Sequence, residues 1–177
     1  MSISGKMLLF INNSDHKIGD MTRQTNLLRL LLVLILVVIV LASGLLYLVS
    51  LASAQDWPEL AHLQLPIYVA VVVGLVPVVV ALGLVFDFLG VVDRGDAFST
   101  RTVQILWRLR MLIGAFAGYV ALGLVGAWAA MRLMHPSLVF LWFMVEVAAL
   151  FLFTVVALLE RIFADALALR QDNELTV

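Results

Sequence analysis

The sequence predicts an all-α integral membrane protein, a four-helix transmembrane bundle of antiparallel helices with both termini in the cytoplasm (N-in/C-in). Three observations carry that reading. Hydrophobic residues make up 64% of the 177 positions and charged ones only 13%, against about a quarter charged in soluble domains. The mean hydropathy of +1.12 places most of the chain in lipid. Four apolar stretches divide the sequence, each reaching the roughly 20 residues a helix needs to cross the hydrocarbon core. Ten of the eleven Lys and Arg residues then fall on one side of those stretches. Lys6, Lys17 and Arg23 precede the first, Arg29 lies at its very start, and Arg94, Arg101, Arg108 and Arg110 separate the second from the third. Arg161 and Arg170 follow the fourth, leaving Arg132 alone on the other side. Cytoplasmic loops carry excess Lys and Arg, so the bias orients the bundle.

The first stretch, residues 27–49, is a Leu/Val/Ile block with no charge after Arg29. It ends in Ala52-Ser53-Ala54-Gln55, which looks like a signal-peptidase site. A secretory apolar region runs to only about 7–15 residues, so a retained anchor is the expectation. The polar leader, residues 1–26, shows no helical stripe and is expected to be disordered, with Met21-Thr22-Arg23 an alternative start. The second, third and fourth stretches run over residues 66–89, 111–131 and 138–159 within a membrane domain of residues 27–177. With no water to satisfy backbone groups, each is helical despite its valines. The inner side is expected to hold a loop at residues 90–100 and then helical extensions of the third and fourth spans, within a cytoplasmic loop 90–110 and a tail 160–177. Trp57, Trp128 and Trp142 lie near the outer ends, as an aromatic belt requires.

Within the spans, Gly114 and Gly118 form a GxxxG pair. Small residues let helix backbones approach, and the motif serves either packing inside the bundle or a homo-oligomer face. Pro77 removes a backbone donor and is expected to kink the second span. Glu146 is the one acid well inside a span. An intramembrane ionisable residue faces the bundle interior and marks a candidate functional site. It is either a proton or cation transport site or a carboxyl hydrogen-bonded to a neighbouring helix. Asp87, near the inner end of the second span, lies within reach of headgroup water or an inner-loop arginine.

No motif for catalysis, cofactor or metal binding emerges. The chain has no cysteine, and His62, His135, Asp56 and Glu59 lack the i, i+4 spacing that brings two ligands together. No pair of groups is arranged for acid–base chemistry. The chain is therefore read as no enzyme, with no cofactor, no metal and no direct nucleic-acid contact.

The inner side carries more information. In Asp93-Arg94-Gly95-Asp96-Ala97-Phe98-Ser99, Gly95 permits a turn and Asp96 or Ser99 can cap the next helix. Arg101, Gln104 and Arg108 then share one helix face, with Val103, Leu106 and Trp107 on the other. Each Arg beside an anionic leaflet is worth about 1 kcal/mol, so lipid alone accounts for the charge; a docking surface for a cytoplasmic partner is the alternative. Beyond the fourth span Arg161 and Asp165 are spaced to pair at i, i+4, and the tail ends in Gln171-Asp172-Asn173-Glu174-Leu175-Thr176-Val177.

The segments GDAFS, LWRLRMLIG and QDNELTV resemble the domain of unknown function 2975 family of bacterial membrane proteins. The matching positions are Gly95, Phe98 and Ser99; Leu109, Arg110, Ile113 and Gly114; and Asp172, Glu174, Leu175, Thr176 and Val177. Met111-Leu112 puts one extra residue between Arg110 and Ile113. The resemblance implies a multi-pass protein of the bacterial inner membrane with four spans across the whole chain. Members are often encoded beside a small helix-turn-helix regulator, which implies a membrane protein that holds or senses for a cytoplasmic partner. On that footing the candidate partner-binding residues are Asp96, Phe98, Ser99, Arg101, Arg108, Arg110, Asp172, Glu174, Leu175 and Thr176. A small oligomeric transporter or channel built on Glu146 is the competing function.

Overall fold

The computed structural model describes the backbone of residues 3–56, 58, 61–131 and 136–174, and side chains between 23 and 172 apart from 54, 56–57, 59–60, 63 and 130–138. Four helices follow one another: α1 Ile3–Asp56, α2 Ala61–Asp93, α3 Thr100–Met131 and α4 Pro136–Glu174. Each contains a segment long and apolar enough to span a bilayer, within Arg23–Ser53, Gln64–Asp93, Thr100–Ala129 and Val139–Asp172. The extensions of the third and fourth spans, at the N-terminal end of α3 and the C-terminal end of α4, are helical, as expected.

The leader is where expectation and structure part. Instead of a disordered tail, the backbone is helical from Ile3 into the span. Extending an existing helix adds a hydrogen bond for each residue fixed, whereas starting one is costly, so the span acts as nucleus for the polar segment. The Ala52–Gln55 sequence likewise lies inside α1. Pro66 and Pro77 are both accommodated within a continuous α2.

The helices pack in chain order. Helix α3 is central, in contact with α2 on one side and α4 on the other, while α1 lies against α2 alone among the described residues. The enclosed core is correspondingly small. Ala117, Val120, Ala149 and Val156 form it between α3 and α4, and Leu89, Val91, Ile105 and Leu106 form it at the end where α2 leads into α3. The many exposed Leu, Val and Phe side chains around it face lipid tails, which are as apolar as they are.

Because lipid supplies no hydrophobic drive between helices, close packing and hydrogen bonds must hold them. Three glycines provide the room. A Cβ at Gly123 would stand 3.1 Å from the Trp142 ring, one at Gly114 3.2 Å from Phe153, and one at Gly74 2.9 Å from Tyr119. Two of these rings are also tied by their polar ends. Trp142 Nε1 donates to the Val120 carbonyl at 3.0 Å and the Tyr119 hydroxyl to the Ala70 carbonyl at 2.5 Å.

Two sequence-based expectations change accordingly. Trp142 is no belt residue; it turns onto α3, while Trp128 stays 67% exposed and Trp57 lies outside the described residues. The GxxxG pair is split. Phe153 occupies the space beside Gly114, whereas Gly118 has nothing within 4 Å and faces outward.

Candidate functional site

The turn between α2 and α3 is built by its backbone. Gly95 sits at φ +75°, the left-handed conformation that closes a helix C-terminus. Its N–H donates to the Val92 carbonyl at 3.0 Å and that of Asp96 to the Val91 carbonyl at 3.3 Å. This double closure satisfies carbonyls that the end of α2 leaves free. Of the two candidate caps, Ser99 is the one used. Its Oγ accepts from the Thr102 N–H at 3.4 Å and lies 3.3 Å from Thr102 Oγ1. Thr102 is fully buried, so the cap also provides for a hydroxyl that has no access to solvent.

Aromatic stacking ties that turn to the far end of the chain. Phe98 stacks on Phe163 of the α4 extension with centroids 5.4 Å apart, and Phe88 of α2 meets the same ring edge-on at 6.2 Å. One helical turn earlier on α4, Glu160 Oε2 lies 3.3 Å from Arg110 Nε. Neither atom makes a hydrogen bond, so the pair is an off-line electrostatic contact. Arg29 of α1 is fixed to α2 twice, with Nη2 donating to Asp93 Oδ2 at 2.5 Å and the guanidinium 5.4 Å above the Phe86 ring. The N-terminal part of the first span, the α2–α3 turn and the α4 extension thus meet at one end, which is the basic end of the bundle.

This geometry sorts the sequence-derived candidates. Phe98, Ser99 and Arg110 are engaged in holding the end together. Asp96, Arg101 and Arg108 are exposed, and among the described residues Arg101 and Arg108 have no carboxylate within ion-pair distance. Asp172 is exposed and engaged in a contact. The Glu174 side chain, Leu175 and Thr176 lie outside the described residues. Leu106 is buried as expected, but Trp107 is 48% exposed. Arg161 and Asp165 are exposed, and among the described residues they form no ion pair. Asp87 shares a pocket with Arg29, Arg94 and Arg101, the arginine neighbourhood expected for it. Arg29 itself was missed as a site residue; its place as the one charge within the first apolar stretch, residues 27–49, was the available signal.

Glu146 belongs to a different region. On α4, Trp142, Glu146, Ala149, Phe153, Val156 and Glu160 recur at steps of four and three, the period of a seam between helices. Trp142, Phe153 and Glu160 each meet α3 directly, so Glu146 lies on the α3-facing stripe. Its Oε2 has no exposed surface and no hydrogen-bond partner among the described residues. The hydrogen bond to a neighbouring helix, one of the two alternatives for this side chain, is thus not made by that oxygen among the described residues. No three His, Asp or Glu side chains converge among the described residues.

Comparison with known proteins agrees with this architecture. The family described as protein of unknown function DUF2975 matches residues 50–177. The chain is 23% identical over 126 residues to the uncharacterized membrane protein YoaS of Bacillus subtilis (strain 168), covering 71% of this chain and 79% of that protein. No solved structure matches. The family match begins at the last turns of α1, so the first span lies outside it, narrower than the whole-chain layout the motifs implied. By a match over nearly three quarters of its length, the chain belongs to the DUF2975 family of membrane proteins.

Proposed function

We propose that this multi-pass membrane protein is a regulatory or scaffolding element whose basic end docks a cytoplasmic protein. In this reading it lies in the bacterial inner membrane with both termini in the cytoplasm and catalyses no reaction. The observation that supports it is the combination at that end. The α2–α3 turn and the α4 extension are joined through Phe98 and Phe163, while the exposed side chains of Asp96, Arg101 and Arg108 form no ion pair among the described residues. A fixed framework carrying free charges is suited to recognising a partner of opposite charge, because little ordering cost remains to be met on binding. The family resemblance points to a small helix-turn-helix regulator as that partner.

The test is crosslinking capture of the tagged protein in membranes, with and without residues 170–177. A soluble DNA-binding protein recovered with the full chain, and lost without the tail or with Arg108→Glu, is the expected result. Unchanged capture by both variants overturns the docking reading.

A second reading draws on Glu146, whose carboxyl oxygen is enclosed at the α3–α4 seam without a partner. An unpartnered acid at that depth is costly and is commonly retained for ion passage. Helices α1–α4 then form one subunit of an oligomeric transporter. Loss of a proton-dependent phenotype in Glu146→Gln at normal membrane levels supports that reading; full retention removes it.

A further inference from the structure

A pocket of about 240 Å³ opens at the basic end between α1, α2 and the start of α3, lined by Arg29, Phe86, Asp87, Gly90, Arg94 and Arg101. Its charges do not balance. Three guanidinium groups stand against the carboxylates of Asp87 and, bound to Arg29 at the edge, Asp93. Arg94 and Arg101 have no carboxylate within ion-pair distance among the described residues, and the Arg29 Nε–H is enclosed without an acceptor. What is missing is one negative charge with several acceptor oxygens.

The position of the pocket narrows the chemistry. Arg29 lies six residues into the apolar segment that starts at Arg23, and Asp87 six before the end of the one that closes at Asp93, so the pocket sits at the level of headgroups. Among the described residues α1 packs on α2 alone, which leaves one side of the pocket with no helix between it and the surrounding bilayer. Leu28, Leu31 and Val79, all exposed, belong to the apolar surfaces of the two helices that form it.

We infer that this pocket binds a singly charged phosphate group, that of an anionic phospholipid such as phosphatidylglycerol. A phosphodiester carries the one charge the arginines lack, and guanidinium forks match its oxygens in pairs. Basic pockets between transmembrane helices are a recurrent setting for such headgroups. The site is separate from the docking reading above, sharing only Arg101 with it. Tail truncation tests docking and leaves this pocket intact.

The test titrates the purified full-length protein, in zwitterionic detergent, with dioleoylphosphatidylglycerol, and counts bound lipid by native mass spectrometry. Dioleoylphosphatidylcholine and inorganic phosphate are run in parallel. The expected result is phosphatidylglycerol binding that weakens about tenfold or more in the Arg94→Gln/Arg101→Gln double variant, from roughly 1 kcal/mol per arginine. Arg161→Gln, an exposed arginine outside the pocket, leaves it unchanged. Arg94→Lys/Arg101→Lys, which keeps charge but not the fork, recovers part of the affinity and shows that the loss is not misfolding. Competition by millimolar inorganic phosphate identifies the phosphate group itself as the ligand; absence of competition assigns recognition to the whole lipid. Equal loss in Arg161→Gln, equal binding of phosphatidylcholine, or no loss in the double variant overturns the proposal.

Discussion

At the residue scale, several side chains of this protein act through one contact each. Gly95 is at φ +75° with nothing within 4 Å of an added Cβ, so Gly95→Ala isolates the conformational cost. The left-handed region costs an L-residue roughly 1–2 kcal/mol, and thermal unfolding in detergent reads that loss with the helix content unchanged. Tyr119 differs, because its ring and its hydroxyl are both engaged. Tyr119→Phe removes the hydrogen bond to Ala70 and costs about 1 kcal/mol, in line with interhelical bonds in membranes. Gly74→Ala drives a methyl to 2.9 Å from the same ring, so it displaces the ring and loses the bond together. The unfolding midpoint therefore falls further for Gly74→Ala than for Tyr119→Phe. The reverse order removes Tyr119 from the set of contacts that hold α2 to α3.

At the element scale, Phe163 couples three parts of the chain, and Phe163→Ala releases both Phe98 and Phe88. Amide hydrogen exchange in the α2–α3 turn and in the last turns of α4 is expected to accelerate together, while exchange across α3 near Ala117 stays slow. Acceleration on one side alone separates the turn from the tail. The elements themselves were legible in the sequence, because length and apolarity determine a span almost without regard to which apolar residue fills each position. The helix cap at Ser99 and the turn at Gly95 were legible for a similar reason, since few residues serve those backbone needs. The choice between Gly114 and Gly118 was not. Their spacing is the same on either side, and only the register of α4, which brings Phe153 beside Gly114, decides between them. Trp142 was misplaced because a tryptophan near a span end serves equally as a belt or as a wedge, and Gly123, nineteen residues away, is what admits it. The leader was misjudged because composition reports on isolated segments, whereas α1 propagates from the span.

At the scale of the whole molecule, the packing order leaves α1 peripheral, in contact with α2 and with no partner on its remaining faces among the described residues. The family match, which starts at residue 50, covers the three helices that enclose the core. A chain with no cysteine makes this arrangement directly testable by paired substitutions. Trp142 meets Gly123 and Phe153 meets Gly114, so the register between them sets Ala149 opposite Ala117, both buried. Ala117→Cys with Ala149→Cys is expected to crosslink within one chain under mild oxidation. The corresponding depth on α1 follows from two steps, Gly74 against Tyr119 and Tyr68 against Tyr47, whose rings lie 5.1 Å apart; it falls near Ile39. Val40→Cys with Val147→Cys, both at exposed positions, is expected to give no crosslink within a chain, because α2 and α3 intervene. A dimer band from that pair places α1 of one copy against α4 of another. An intramolecular band closes the row into a ring and refutes the peripheral position of α1, and with it the lateral opening through which a lipid headgroup reaches Arg29.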